Sequence, residues 1–432
     1  MDNKIKGPSN PMKWVLTAYF AQGLPFVAIA AASALMFKNL GISDTKIAFW
    51  TSLIMLPWTL KPLWGPFLEI YKTKKFFAVF TQISIGLLFG LVALSLTLSS
   101  FFAASIAVLA VIALLGATHD MAVDGVYLNV LDSKSQAKYV GWQGAAYNLA
   151  KIFSSGALVW LAGELEKSQG VTNAWMIVMG LYGLIMLLIG LYHTVMLPAD
   201  SARTEPVTLG EGFERLGNVV TTFFQKKYIF FGILFIILYR FAEGQAIKIA
   251  PLFLKADRAA GGLGLNTSDI GIAYGTFGSV AYLAGSLVAG YYVSARGLSR
   301  STLMVLCAFF NLPFLMYALL AVFQPTDFSV ITSAIAIEYF GYGFGFVGLI
   351  LFMMQQIAPG DYKMAHYAFA TGIMNLGVML PSMISGYLSD MLGYKNFFIW
   401  VMVATIPAFL ATWFVPLKDM PAEETPAEQS HQ

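Results

Sequence analysis

Eight ionisable side chains fall inside otherwise apolar stretches of the sequence: Lys61, Asp120, Asp124, Lys151, Arg240, Glu243, Lys248 and Glu338. Each costs at least ~2.5 kcal/mol to place at the centre of a bilayer, so these acids and bases must face one another or water. Asp120 and Asp124 are four residues apart and share one helical face, and Arg240, Glu243 and Lys248 fall along one stripe of a helix. Two adjacent carboxylates resist double ionisation, so such a pair can carry one proton. A protonatable carboxyl beside a cation is the minimal equipment for coupling proton movement to anion binding. Asp120, Asp124, Glu243 and Glu338 are therefore the proton-coupling candidates, and the sequence does not choose among them. Candidates for binding a solute lie beside them: Lys61, Lys151 and Arg240 as cations, Trp58 and Trp64 flanking Lys61, and Tyr147 and Asn148 preceding Lys151. Tyr239 adjoins Arg240, Tyr339 adjoins Glu338, and Gln22 sits in the first apolar run. Rings next to charges suit stacking on a ring-containing solute. Lys248 is the weakest member of the set, since it is nearer the outer end of its span and its long side chain could snorkel to the surface.

The elements that position these groups can be derived from composition. Of 432 residues 58% are hydrophobic and 11% charged, and the mean hydropathy is +0.70. So much apolar side chain has bilayer hydrocarbon as its main solvent. A formal charge of +3 is too small to imply a nucleic-acid partner. The single cysteine, Cys307, excludes a disulfide framework and reads as a small buried hydrophobe. His119, His193, His366 and His431 show no metal-ligand spacing, so neither a metal nor a cofactor is expected.

A span needs ~20 apolar residues. Twelve such runs are predicted as helices: 14–37, 47–67, 76–97, 102–130, 139–163, 174–197, 228–253, 268–292, 301–323, 328–357, 365–388 and 396–416. Residues 198–227 read as a hydrated cytoplasmic linker that separates a six-helix bundle at 14–197 from another at 228–416. Residues 1–13 form a cytoplasmic N-terminal tail, and 417–432 a Pro/Glu-rich disordered one. With the N-terminus inside, inner segments hold Lys4, Lys6, Lys13, Lys72, Lys74, Lys75, Lys134, Lys138, Arg203, Arg215, Lys226, Lys227, Arg296, Arg300, Lys363 and Lys418. The outer ones hold Lys38, Lys46, Lys167, Lys255, Arg258 and Lys395, so both termini are expected in the cytoplasm.

The halves repeat. Phe20-Ala21-Gln22-Gly23 matches Phe241-Ala242-Glu243-Gly244, Ser43-Asp44 with Ile47-Ala48 mirrors Ser268-Asp269 with Ile272-Ala273, and Asn148-Leu149 mirrors Asn375-Leu376. Two like-oriented repeats imply a pseudo-two-fold axis along the membrane normal, the layout of the two halves of major facilitator transporters, with the substrate held near mid-membrane between them. The loop Gly65 to Lys72 and its counterpart Gly290 to Gly297 each place a glycine and then basic residues on the inner side. That is where facilitators carry a gating loop.

Several runs resemble the AmpG-type muropeptide permeases, a branch of the major facilitators that also contains acetyl-coenzyme A transporters and siderophore permeases. The similarity lies in Tyr19-Phe20-Ala21-Gln22-Gly23-Leu24-Pro25, in Pro57-Trp58-Thr59-Leu60-Lys61-Pro62-Leu63-Trp64-Gly65-Pro66, and in Ala117-Thr118-His119-Asp120-Met121-Ala122-Val123-Asp124-Gly125. Tyr239-Arg240-Phe241-Ala242-Glu243 and Glu338-Tyr339-Phe340-Gly341-Tyr342-Gly343 complete it. The resemblance implies proton-driven import of N-acetylglucosaminyl-anhydro-N-acetylmuramic acid with or without its peptide, with Lys61, Asp120, Asp124, Arg240, Glu243 and Glu338 at the family's functional positions. His119 stands where the family has Gln, Asn148 where it has Arg, with a cation returning as Lys151, and Glu243 and Glu69 where it has Asp.

The expectation is an all-α membrane protein of twelve transmembrane helices and major facilitator fold: a secondary active transporter, not an enzyme, and a proton symporter of a muropeptide or amino-sugar solute. It is expected to be a monomer in a bacterial inner membrane, its partners a small-molecule substrate, protons and lipid. The eight charges are expected to line one shared chamber between the bundles. A siderophore or other organic-anion permease is the alternative within the branch. A membrane enzyme or receptor, the alternative class, lacks support: there is no G-x-S-x-G, no P-loop, and no long hydrophilic stretch beyond the central linker.

Overall fold

The computed structural model describes residues 10–61, 64, 68, 73–131, 133–198, 209–360 and 362–417, and every regular element among them is a helix. In order these are α1 (Met12–Asn39), α2 (Asp44–Leu53), α3 (Leu56–Leu60), α4 (Lys74–Ser95), α5 (Phe101–Val130), α6 (133–169) and α7 (Val171–Met196). The second half holds α8 (Leu209–Phe224), α9 (Ile229–Lys255), α10 (Thr267–Val293), α11 (Arg300–Phe323), α12 (Phe328–Ile357), α13 (Lys363–Val403) and α14 (Ile406–Phe414). Side-chain caps set several starts: Thr73 accepts from the Phe76 amide at 3.2 Å, Ser299 from Thr302 at 3.2 Å, and Asp327 from Ser329 at 2.8 Å.

Among the described residues, 9 segments are long and apolar enough to cross a membrane: α1, α4, Phe101–Tyr127 of α5, α7, α9, α10, α11, α12 and Ala365–Phe414. The last spans 50 residues, too long for one crossing. Gly393 breaks it at φ 70°, ψ 155°, between the expected runs 365–388 and 396–416. Only glycine adopts such a backbone without strain. The second and fifth expected runs fall outside this set for different reasons. Residues 47–67 are split into the short α2 and α3, and most residues of the run beyond Lys61 lie outside the described ones. Residues 139–163 are helical throughout α6, but Gln143, Asn148, Lys151, Ser154 and Ser155 make that helix too polar.

The expected linker at 198–227 is partly helical. Leu216, Val219, Val220 and Phe223 recur at helical spacing, and Phe223 is fully buried in α8 against Phe369 and His366. The Thr222 hydroxyl lies 3.1 Å from His366 Nε2, fastening α8 to α13. Residues 1–9, most of the Gly65 to Lys72 loop with Glu69, and residues 418–432 lie outside the described residues.

A buried polar brace runs through the N-terminal half. Gln82 bridges His119 Nε2 at 2.8 Å and His193 Nδ1 at 2.9 Å, and His193 Nε2 lies 2.8 Å from Thr17 Oγ1. It ties α1, α4, α5 and α7 together and fixes the rotation of α5, which carries Asp120 next to His119. The halves themselves meet where α6 packs on α10 and α2 on α13.

Candidate functional site

A cavity of about 270 Å³ lies between α1 and α6 on one side and α9 to α12 on the other. The N-terminal half contributes Phe26, Ala30, Asn148, Lys151 and Ser155, and the C-terminal half Glu243, Lys248, Tyr274, Tyr282, Tyr317, Glu338, Tyr339 and Tyr342. Three helices are interrupted at this level by π turns: Ala28–Ala32 in α1, Phe153–Ala157 in α6 and Ala273–Gly278 in α10. Such turns widen a helix and re-aim its side chains, and they concentrate at functional sites. Two of them touch where a Cβ on Gly156 would stand 2.7 Å from the Gly275 Cα.

On the C-terminal side, α9 breaks at Arg240, whose φ of −102° and ψ of 5° separate Ile229–Tyr239 from Phe241–Lys255. Glu243 therefore sits in the first turn of a helix, where backbone amides favour a negative charge. Arg240 grips it twice, Nε to Oε2 and Nη2 to Oε1, each at 2.6 Å, with both side chains buried. Such a bidentate fork is the strongest geometry available to this pair. Glu338 accepts from the Tyr317 hydroxyl at 3.2 Å. The Lys151 ammonium lies 5.0 Å from the centre of the Tyr282 ring, within electrostatic range of Arg240 and Glu243. Tyr239 is fully buried outside the cavity wall, donating to the Gly345 carbonyl at 2.8 Å. Tyr339 stacks at a tilt on Tyr274, centroids 5.5 Å apart.

On the N-terminal side, Lys61 Nζ lies 2.9 Å from Asp120 Oδ2, which also accepts from Trp58 Nε1 at 3.0 Å. Gln22 packs beside Asp120, and Tyr147 lies within electrostatic range of both Asp120 and Tyr282. Asp124 accepts from the Tyr19 hydroxyl at 2.8 Å. Trp64 donates to Thr118 at 3.2 Å, and Asn148 donates to the Gly144 carbonyl at 2.9 Å while lining the cavity.

The expected single chamber resolves into two groups. Lys151, Glu243, Lys248 and Glu338 line the cavity, with Arg240 bound to Glu243. Lys61, Asp120 and Asp124 form a second cluster behind an aromatic layer, because Phe26 lines the cavity and packs edge-on against Trp58 at 5.2 Å. Lys248 does not snorkel. It is buried, and donates to the Ala30 carbonyl at 3.0 Å and to Thr51 Oγ1 at 3.1 Å, both in the other half. Sequence reasoning missed Tyr274, Tyr282, Tyr317 and Tyr342. Tyr342, one turn from Glu338 and Tyr339, carried a usable signal, as did the spacing of Tyr274 and Tyr282 on one helix.

Among the described residues, the hydrogen bonds that join the halves run from mid-helix toward one end of the bundle. There Glu166, which holds Asn39 at 2.5 Å and Trp175 at 2.7 Å within its own half, accepts from Thr267 of the other half at 2.8 Å. Asp44, paired with Lys38 of its own half at 2.6 Å, accepts from Tyr394 of the other at 2.5 Å, and Thr45 donates to Asp390 at 2.5 Å. A second, more open apolar groove of about 540 Å³ beside Trp50, Pro57 and Phe102 carries no ionisable side chain.

Comparison with known proteins agrees with this architecture. An uncharacterised protein of Haemophilus influenzae is 25% identical over 97% of this chain and 98% of its own length. The anhydromuropeptide permease of Escherichia coli K12 is 23% identical over 90% of this chain and 77% of its own. The crystal structure of a D-xylose-proton symporter superposes with a TM-score of 0.72 at 12% identity, covering 94% of this chain and 96% of that one. The family model of the Major Facilitator Superfamily matches residues 15–363, and the chain, a multi-pass membrane transporter, belongs to that superfamily.

Proposed function

We propose that this transporter is a proton symporter importing a muropeptide-type solute, N-acetylglucosaminyl-anhydro-N-acetylmuramic acid with or without its peptide, across a bacterial inner membrane. The observation that carries this reading is the cavity wall. Among the described residues Lys151 and Lys248 have no carboxylate within ion-pair distance, and tyrosines surround them. A ring-bearing anion suits such a wall: sugar rings lie against tyrosine faces and a carboxylate meets an ammonium. The similarity to the Escherichia coli permease supports the same solute class.

For the proton, the partners of the four carboxylates divide them. Asp120 and Glu243 are paired with cations, and protonating either breaks an ion pair: Arg240 would be left buried and uncompensated, and Lys61, half-buried, would lose its counter-ion. Asp124 and Glu338 are held by the tyrosine hydroxyls of Tyr19 and Tyr317, and can accept a proton without stranding a cation. They are the proposed carriers. The bundles at 14–197 and 228–416 are the moving parts, related by a pseudo-two-fold axis. The distribution of Lys and Arg supports an outer position for the end closed by the Glu166 and Asp44 bonds, with both termini in the cytoplasm, and a cavity lined within one chain suits a monomer.

The test is accumulation of the labelled anhydro-disaccharide in right-side-out vesicles with an acidic exterior. Wild-type protein is expected to concentrate it, whereas Asp124→Asn or Glu338→Gln abolishes uphill uptake and retains a wild-type unfolding profile. Undiminished accumulation in both variants refutes the carrier assignment. Uptake of ferric chelates in place of the disaccharide moves the protein to the siderophore alternative.

A further inference from the structure

We propose that Lys248 is a state-dependent anion site: it takes the solute's carboxylate when the halves part at the closed end, and returns to Ala30 and Thr51 when they meet, so that closure helps release the anion. The inference rests on the transport reading above and adds to it the residue that makes affinity differ between the two states.

Lys248 belongs to α9 of the C-terminal half and lines the cavity, yet both its acceptors belong to the N-terminal half. The Ala30 carbonyl lies within the π turn Ala28–Ala32. Thr51 is fully buried, and its own hydroxyl proton is committed to the Ile47 carbonyl at 2.8 Å, so toward Lys248 it can only accept. Two neutral acceptors therefore meet two of the three protons that a buried ammonium has to donate.

When the halves separate here, Ala30 and Thr51 leave with α1 and α2, and the cation on the opened cavity wall has lost both of its protein acceptors. In that state no protein acceptor competes for the ammonium, and an anion binds it better than in the closed one, since ionised acceptors form shorter and stronger hydrogen bonds than carbonyls or hydroxyls. When the halves close, the same two acceptors compete with the anion. A ligand shifts a conformational equilibrium only through a difference in affinity between the states. Lys248 supplies that difference with the sign an importer needs: tight on the side of entry, weak on the side of release.

The experiment uses full-length protein in nanodiscs, with spin labels at Ser168→Cys and Ala259→Cys in a Cys307→Ala background. Both label sites are exposed, one on each half. With no solute present, Lys248→Gln and Thr51→Val are each expected to raise the long-distance population, since either removes a tie across the closed end. In binding to N-acetylglucosaminyl-anhydro-N-acetylmuramic acid the two variants part. Lys248→Gln weakens it by about tenfold or more, Thr51→Val tightens it severalfold, and binding of neutral diacetylchitobiose changes in neither. Unchanged distances in both variants, or affinity changes of the same sign, overturn the proposal. Should Lys248→Gln fail to fold, Thr51→Val alone decides it, because the lysine is then intact. If wild-type protein does not bind the anhydro-disaccharide, the solute assignment fails, and the distance measurement still settles the latch.

Discussion

Arg240 and Glu243 are three residues apart on one helix and meet through two 2.6 Å contacts, with side-chain exposures of 8% and 2%. Lys61 and Asp120 come from different helices and meet through one 2.9 Å contact, with the lysine side chain 28% exposed. The first pair is local: helix–helix movement does not separate its partners, so it acts as a fixed dipole that lets Glu243 face the cavity without free charge. The second pair joins the end of α3 to α5, and any shift between them stretches it. A carrier needs both kinds, one to hold charge still and one to register movement.

Removing one partner from each pair separates these roles. Arg240→Met leaves Glu243 buried and uncompensated, and is expected to destabilise the fold by about 3–5 kcal/mol. Thermal unfolding in detergent should show it, and adding Glu243→Gln should restore part of the loss. A wild-type Tm in the single variant would dissolve the distinction drawn here. Lys61→Met is expected to act chiefly on transport. Uptake should fall roughly tenfold, with only about 1–2 kcal/mol lost in stability because the lysine end is partly solvated. A double-mutant cycle with Asp120→Asn should return a coupling near ~1 kcal/mol. Finally, the pair Lys167 to Glu164, at 2.6 Å but 55% and 39% exposed, is the control. Lys167→Ala should change neither uptake nor Tm measurably, since exposed pairs trade hydration for contact with little net gain.

Most of the spans could be read from the chain because lipid-facing helices announce themselves as long apolar runs. Where reading failed, polar side chains were the cause. Glu211, Glu214 and Arg215 conceal the apolar stripe by which α8 packs. The buried charges were legible as a set because such residues are rare in membrane spans. Their grouping was not, since the Phe26 and Trp58 layer that divides them is a tertiary contact. Lys248 looked like a snorkelling end residue because nothing local indicates that a π turn in another helix presents a carbonyl to it. Nothing in the chain around Tyr317 marks it, since only the folded chain sets its hydroxyl against Glu338.

The near-touching backbones of Gly156 and Gly275 have a consequence for the cost of motion. A bearing made of main chain has no rotamers to freeze when it seats and none to regain when it lifts. The free-energy gap between the two poses of the carrier is then set by the hydrogen-bonded fasteners beyond it and not by the pivot. Evolution can retune the gap by exchanging a fastener and leave the fulcrum alone.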